Sequence, residues 1–345
     1  MKRMYVRAYC QSNLGDDLFV LHLAKRYPET EFYLYAIDDN QKAFLDQPNI
    51  HLPNSWNRLR RKGRHLLHLA GEPFDGQGLD GTVVIGGSIL WEGAPLDFGE
   101  APCFLIGPNC EKDYSPAFRL RLTEALGQIQ SCCFRDRASF DQFSGLLNVT
   151  WAPDVLFDYD ARVHVKKGEG IGISLVSRKG VFREDGQRET YYNAIGDLCE
   201  RCLQEDIPVR LLSFCASEGD EEAVEAVRKK VSNPEAIAVS RYRGDPEGFL
   251  AEMNQCETLI ATRFHAMILG WVLGKNVVPI IYSAKQTQVL TDCGFQGPMW
   301  NALEVREMTG ESLLEYAKQE QGRLDISELK KRSRAQFLAL DEYLN

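Results

Sequence analysis

The run Thr258-Leu259-Ile260-Ala261-Thr262-Arg263-Phe264-His265-Ala266-Met267-Ile268-Leu269-Gly270-Trp271-Val272-Leu273-Gly274-Lys275-Asn276-Val277-Val278-Pro279-Ile280-Ile281-Tyr282 reads as strand, turn, helix and strand. Thr258–Thr262 and Val277–Tyr282 are short apolar runs of strand length, and Phe264–Gly274 is long enough only for a buried helix. Two strands joined by a helical crossover run parallel in one sheet. Upstream, the same alternation gives strands Gly170–Val176, Pro208–Phe214 and Ala236–Tyr242, with helices Glu189–Asp206, Asp220–Val231 and Pro246–Cys256 between them. A polar stretch, Asp158–Gly168, carrying Lys166 and Lys167, separates this series from an earlier one. There the strands are Tyr5–Cys10, Glu31–Ala36, Thr82–Ile85, Cys103–Ile106, Cys132–Arg135 and Val149–Ala152, and the helices Asp17–Arg26, a basic stretch around Trp56–Ala70, Pro116–Gln130 and Ala138–Gly145. Glu311–Gln319 and Ile326–Leu344 follow as helices with no further strand. The fold class predicted is α/β: two Rossmann-like doubly wound domains, residues 1–160 and 168–310, facing a cleft, with C-terminal helices over residues 311–345.

Bulk properties agree with this. A chain of 345 residues exceeds one ordinary core, and 44% hydrophobic with 26% charged residues describes a globular protein. A net charge of −9 argues against a broad nucleic-acid surface, while leaving room for a local basic patch around a small anion. The 10 cysteines include the adjacent Cys132 and Cys133, and Cys103, Cys215 and Cys256 lie in or beside apolar runs. Cys199 and Cys202 form a lone CxxC inside a helix, with no second ligand pair at zinc spacing. Buried reduced thiols are the expectation, and with them a cytoplasmic location. The start Met-Lys-Arg leads straight into a strand, without the apolar core of a signal peptide. The longest apolar run, Ala266–Leu273, is too short to span a bilayer.

Chemistry gathers at strand ends. At Thr262-Arg263-Phe264-His265-Ala266 an arginine, a histidine and a helix N-terminus follow one buried strand. Arginine offers a fork, histidine a donor and the helix end its N–H groups, a set suited to carboxylate or phosphate. The alternative is that Arg263 pairs with a structural aspartate and His265 caps the helix. Two more strands of the same half end in cations: Ser283-Ala284-Lys285 follows Tyr282, and Arg178 and Lys179 follow Ser174-Leu175-Val176-Ser177. Three strand ends that each deliver a cation to one rim fit a small, multiply charged anion. In the first half, Ser12-Asn13-Leu14-Gly15-Asp16-Asp17 lacks both GxGxxG and the P-loop lysine. Asp17 fits a helix cap, and Asp16 a hydrogen bond to a sugar or a base toward a hydroxyl. Gly86-Gly87-Ser88 ends one strand and Gly107-Pro108-Asn109 the next. Arg135–Asp136 fits an internal ion pair and a ligand contact equally.

Taken in order, Asn13–Asp16, Gly86-Gly87-Ser88, Gly107-Pro108, Arg135-Asp136 with Ser139, Pro153-Asp154, Ser174-Leu175, Arg263-Phe264-His265-Ala266, and Tyr282 with Lys285 resemble the polysaccharide pyruvyl transferase family. Ser88 stands where the family has a third glycine, and Ser174-Leu175-Val176-Ser177-Arg178 where it has Ser-Leu-Arg, which leaves open whether Arg178 or Lys179 takes the arginine role. The resemblance implies a GT-B-like fold, phosphoenolpyruvate as donor substrate held in the C-terminal domain, and a terminal helix crossing back to the first domain. On that footing the donor falls to Ser174, Arg178, Lys179, Arg263, His265 and Lys285, and the acceptor sugar to Asn13, Gly15, Gly87 and Ser88. His265, whose side-chain type titrates near neutrality, is the expected general acid and Asp16 the expected base. This chemistry calls for no cofactor and no metal. Two other activities remain open: a nucleotide-sugar-dependent GT-B glycosyltransferase, and a non-catalytic sugar-binding relative. The acceptor is a sugar of a polysaccharide or of a lipid-linked oligosaccharide. In the second case the basic stretch Arg58–Arg64 rests as an amphipathic helix on the inner face of the membrane, against the alternative of a core-facing helix with a solvated side.

Overall fold

A computed structural model describes residues 1–53, 78–99, 102–161, 167–177, 181–182, 186–304 and 308–345. The basic stretch at 56–70, Arg178 and Lys179 lie outside these residues. Internal contacts divide the chain into two compact units. The first comprises Met1–Cys10, Asp16–Asp158 and Leu329–Asn345; the second comprises Gln11–Gly15 and Tyr159–Glu328.

The first unit is built on a seven-stranded parallel sheet: β1 (Arg3–Arg7), β2 (Glu31–Leu34), β3 (Ile50–His51), β4 (Gly81–Ile85), β5 (Cys103–Ile106), β6 (Ser131–Phe134) and β7 (Val149–Trp151), ordered 3-2-1-4-5-6-7. The second carries β8 (Ile171–Ser174), β9 (Val209–Ser213), β10 (Ala238–Arg241), β11 (Thr258–Ala261), β12 (Asn276–Ile281) and β13 (Trp300–Asn301), ordered 10-9-8-11-12-13 and again parallel. Each sheet winds outward from its first strand and then reverses to the other side. That places a switch point between β1 and β4 in one unit and between β8 and β11 in the other, where α/β sheets receive ligands. The expected doubly wound class is therefore present twice.

The helices that position the sites are α1 (Leu14–Arg26), α2 (Pro116–Gln128), α3 (Arg137–Asp141), α4 (Gln187–Gln204), α5 (Asp220–Arg228), α6 (Pro246–Asn254), α7 (Phe264–Val272), α8 (Ala284–Asp292) and α9 (Gly310–Lys318). The helix ends follow local chemistry. Ser115 and Asp245 cap α2 and α6 ahead of Pro116 and Pro246, and Asp136 caps α3 by accepting the Ser139 N–H at 2.8 Å. Seven of the nine residues of α7 are buried, as a helix enclosed between sheet and neighbours requires. In the second unit Ile173, Leu211, Ile260 and Val278 of the central strands pack with Tyr191, Ile195 and Leu198 of α4. None of the helices among the described residues is long and apolar enough to cross a membrane.

The last segment departs from the single helix expected over Ile326–Leu344. It breaks into α10 (Ser327–Ser333), a 3-10 turn at Arg334–Phe337 and α11 (Leu338–Leu344). The tighter turn resets which side chains face inward, and both Gln336 and Phe337 are buried. From Leu329 onward this segment belongs to the first unit.

Candidate functional site

The switch point of the second unit is assembled by backbone-directed side chains. Ser174, at the end of β8, accepts the N–H groups of Thr262 (2.9 Å) and Arg263 (3.1 Å) through its hydroxyl oxygen. Gln286 of α8 donates to the Thr262 carbonyl at 2.8 Å and accepts the Tyr282 N–H at 2.9 Å, while Thr262 Oγ1 lies 2.8 Å from the Tyr191 hydroxyl. Three neighbouring strand ends are thereby fixed around the start of α7. Ser174, expected to touch the donor, shapes the junction that carries Arg263.

Arg263 takes the alternative left open by its sequence. Its guanidinium, 7% exposed, donates from Nε to the two Asp220 oxygens at 2.9 and 3.1 Å. Nη2 bonds Asp220 again, and Nη1 bonds Glu218. Asp220 also accepts the Phe214 and Cys215 N–H groups at 2.9 and 3.0 Å, so it ties the end of β9 to the start of α7. Burial works against the Arg263 charge, but the Asp220 and Glu218 carboxylates outweigh it and hold its pKa above the ordinary guanidinium value. One guanidinium thus faces two carboxylates. The reason lies in β9, whose strand-end loop delivers both acids to the position beside β8. The two partners differ in exposure, the Asp220 side chain being fully buried and that of Glu218 11% exposed.

His265 stands in the first turn of α7, partly exposed, with its ring edge-on to Phe264 at 5.0 Å between centroids. The structure brings it against Gly15: a methyl group placed on Gly15 would lie 1.7 Å from His265 Nδ1. Only glycine admits the imidazole there. Gly15 is held by Asn13, whose Oδ1 accepts its N–H at 3.1 Å as an N-cap does, and by Leu14, whose N–H bonds the Phe214 carbonyl at 3.2 Å. Asn13 thus serves α1, and Asp17, expected as the cap, is a buried member of the first turn. Lys285, in the first turn of α8, places its ammonium 5.9 Å from the Phe264 ring centre, so its charge stands beside the same residue that touches His265. Cys215 sits close by, but burial pushes its thiol up to about 11, which keeps it protonated and poorly nucleophilic at neutral pH.

In the first unit, Asp16 lies beside the chain reversal after β4, partly exposed, with its carboxylate oxygen 3.7 Å from where a Gly86 side chain would begin. Gly87 is covered by the Arg135 guanidinium, whose carbon would stand 2.3 Å from an added methyl. Arg135 pairs with Asp154 at 3.2 Å, both side chains being buried, and with the Asn109 side-chain oxygen. It does not pair with its neighbour Asp136, which caps α3. Ser88 is exposed just beyond the pair of glycines. Glu218 and Asp220 were not singled out in the sequence, and Asn109 and Asp154 entered only as members of strand-end motifs. Sheet order reveals which side chains they meet.

Among the described residues, no cluster of three or more His, Cys, Asp or Glu side chains is arranged to hold a metal ion. Several solved structures share the fold at low sequence identity. S. aureus MnaA, in a UDP co-structure, superimposes with a TM-score of 0.63 at 11% identity, over 100% of this chain and 97% of that one. UDP-GlcNAc 2-epimerase of Methanocaldococcus jannaschii gives 0.60 at 10%, over 99% and 100%. HepE of Anabaena, in complex with UDP-glucose, gives 0.58 at 12%, over 100% and 98%. These likenesses bear out the two-domain GT-B-type fold and say nothing of the reaction. No curated protein matches the chain by sequence. The polysaccharide pyruvyl transferase family model matches residues 13–284, from the Asn13 cap to the start of α8 and so across the strand ends described above. By that match the chain belongs to the polysaccharide pyruvyl transferase family and is an enzyme of that type.

Proposed function

We propose that the protein transfers the pyruvyl group of phosphoenolpyruvate to two hydroxyls of a sugar, forming a cyclic ketal and releasing phosphate. The observation that carries this reading is the seating of His265 against Gly15, with the Lys285 ammonium beside Phe264 on the same rim. In the reaction a proton adds to the donor's methylene carbon and C2 becomes electrophilic. One hydroxyl oxygen bonds to C2, the C2–O bond to phosphate breaks, and the second hydroxyl closes the ring. Of the two hydroxyl protons, one balances the proton taken up as methyl and the other leaves with phosphate. His265 is the proton donor to carbon, and Lys285 with the α7 N-terminus faces the leaving phosphate. Asp16 is a carboxylate of the kind that accepts a hydroxyl proton.

Arg263 enters this scheme in a modified form. Asp220 is fully buried and also holds backbone N–H groups, so it stays. Glu218, nearer the surface, is the exchangeable partner: the donor's carboxylate replaces it on Nη1. A negative charge ahead of the donor raises the donor concentration needed, because like charges compete for one guanidinium.

Phosphate release is measured with phosphoenolpyruvate and a mixture of methyl galactoside and methyl mannoside. His265→Ala is expected to lose at least about a hundredfold in turnover with its unfolding temperature unchanged. Retention of wild-type turnover by that variant sinks the assignment. Calorimetric binding of UDP-glucose in place of phosphoenolpyruvate, with no phosphate release, turns the conclusion toward glycosyl transfer.

A further inference from the structure

The C-terminal segment of the first unit puts one side chain into the middle of the strand ends. Gln336 is 3% exposed. Its Nε2 lies 3.1 Å from the Phe134 carbonyl, 2.8 Å from that of Ala152 and 3.3 Å from that of Pro153. Its Oε1 accepts the Gly107 N–H at 3.0 Å. Two amide hydrogens thus serve three carbonyls, one of them shared, and the side chain is saturated. The residues it grips have a common property. Phe134 directly precedes Arg135, Ala152 and Pro153 directly precede Asp154, and Gly107 stands two residues before Asn109.

Those three followers are the partners that meet under Gly87. Backbone bonds continue the chain of contacts: Arg135 N–H to the Pro108 carbonyl (3.1 Å), Asn109 N–H to the Gly87 carbonyl (2.9 Å), and Gly86 N–H to the Ile106 carbonyl (3.2 Å). With the Arg135 guanidinium covering Gly87, and Asp16 beside Gly86, the position of the Gly86–Ser88 reversal depends on loops that Gln336 pins together. We propose that Gln336 is a positioning residue for the acceptor side of the first unit, setting the Gly86–Ser88 backbone beside Asp16 through Asn109, Arg135 and Asp154. A residue that merely fastens the C-terminal segment would act differently. Asp341 is such a fastener: its carboxylate accepts bonds at 2.7–3.1 Å from Arg26, the last residue of α1, and from Tyr27 just after it.

The test compares Gln336→Met, Gln336→Asn and Asp341→Ala with the parent protein. Amide hydrogen exchange is followed at Gly86, Gly87, Gly107, Asn109 and Arg135. Gln336→Met is expected to speed exchange there by about tenfold or more, and Gln336→Asn, which withdraws the carboxamide by one methylene, by less in the same direction. Asp341→Ala lowers the unfolding temperature and leaves these amides at parental rates. The kinetic arm rests on the proposed reaction: with methyl galactoside and methyl mannoside as acceptors, Gln336→Met raises acceptor KM by about fivefold and leaves donor KM unchanged. Parental exchange in both Gln336 variants, or equal acceleration in Asp341→Ala, overturns the inference. A parent protein that releases no phosphate defeats the proposed reaction alone, since the exchange arm still decides the role of Gln336.

Discussion

The two sheets use the same device with opposite endings. In each unit an arginine at a strand end is buried beside a carboxylate that follows another strand of the same sheet: Arg135 with Asp154 in the first, Arg263 with Asp220 in the second. In the first unit a further contact is a neutral carboxamide, Asn109, and the guanidinium lies flat on Gly87. In the second it is a further carboxylate, Glu218, at the edge of solvent. A charge balanced one-to-one and roofed by glycine is scaffold. A charge held by one buried acid and one peripheral acid keeps a replaceable side. Position in the topology marks both places as ligand-facing, and the third partner separates their roles.

The largest expected effect breaks the first half of this comparison. Arg135→Met leaves Asp154 buried and uncompensated, and the first unit should lose about 3–5 kcal/mol, measured by chemical denaturation. Adding Asp154→Leu should restore much of that loss. An unchanged midpoint in the single variant would show that Arg135 is no keystone.

Acid should act on the same unit. Burial, against the opposing pull of Asp158 and with help from Arg26, Lys25 and Lys330, lowers His22 to about 4, and its ring packs 5.5 Å from Phe337 of the C-terminal segment. A histidine kept neutral by folding contributes fully above its unfolded value of 6.5, and the contribution fades as pH falls from 6.5 toward 4. Each pKa unit is worth about 1.4 kcal/mol, so up to about 3 kcal/mol is at stake. His22→Phe should flatten the stability profile of the first unit between those limits and leave exchange in the second unit unaltered.

The remaining two predictions sharpen the second half. Gly15→Ala pushes a methyl group onto His265 Nδ1 and should cost about tenfold or more in turnover, with little change in stability because the ring can rotate outward. Wild-type turnover would mean that the imidazole position does not matter. Glu218→Gln is the mildest: donor KM should fall by about threefold as one competing charge disappears. An unchanged KM would make Arg263 as structural as Arg135, and the comparison would collapse into symmetry.

How much of this was legible beforehand depends on range. Cys103–Ile106 matches its predicted strand end for end, and most other strands were located to within a few residues, because continuous apolar runs are local signals. β3 and β13 went unseen, since two-residue edge strands carry no period. His265 and Gly15 were both singled out, but their contact joins positions far apart in the chain, and no spacing rule encodes it. The pairing of Arg263 has the same origin. Asp220 was read only as the start of a helix, which it is, Glu218 was not singled out, and only the order 9-8-11 brings them to the arginine. Gln336 gave no signal at all, being one polar residue in an amphipathic stretch.

The return of the last segment to the first unit also governs the order of events on the ribosome. Gly107 meets Gln336 across 229 residues, and Arg26 meets Asp341 across 315. At typical elongation rates that first interval takes about 10–50 s, during which the opening sheet has emerged while its closing clamp does not yet exist. The half made second can therefore settle before the half made first is sealed. In the interim the trench later filled by Phe337 and Gln336 is exposed apolar and amide surface, the kind a nascent-chain chaperone covers.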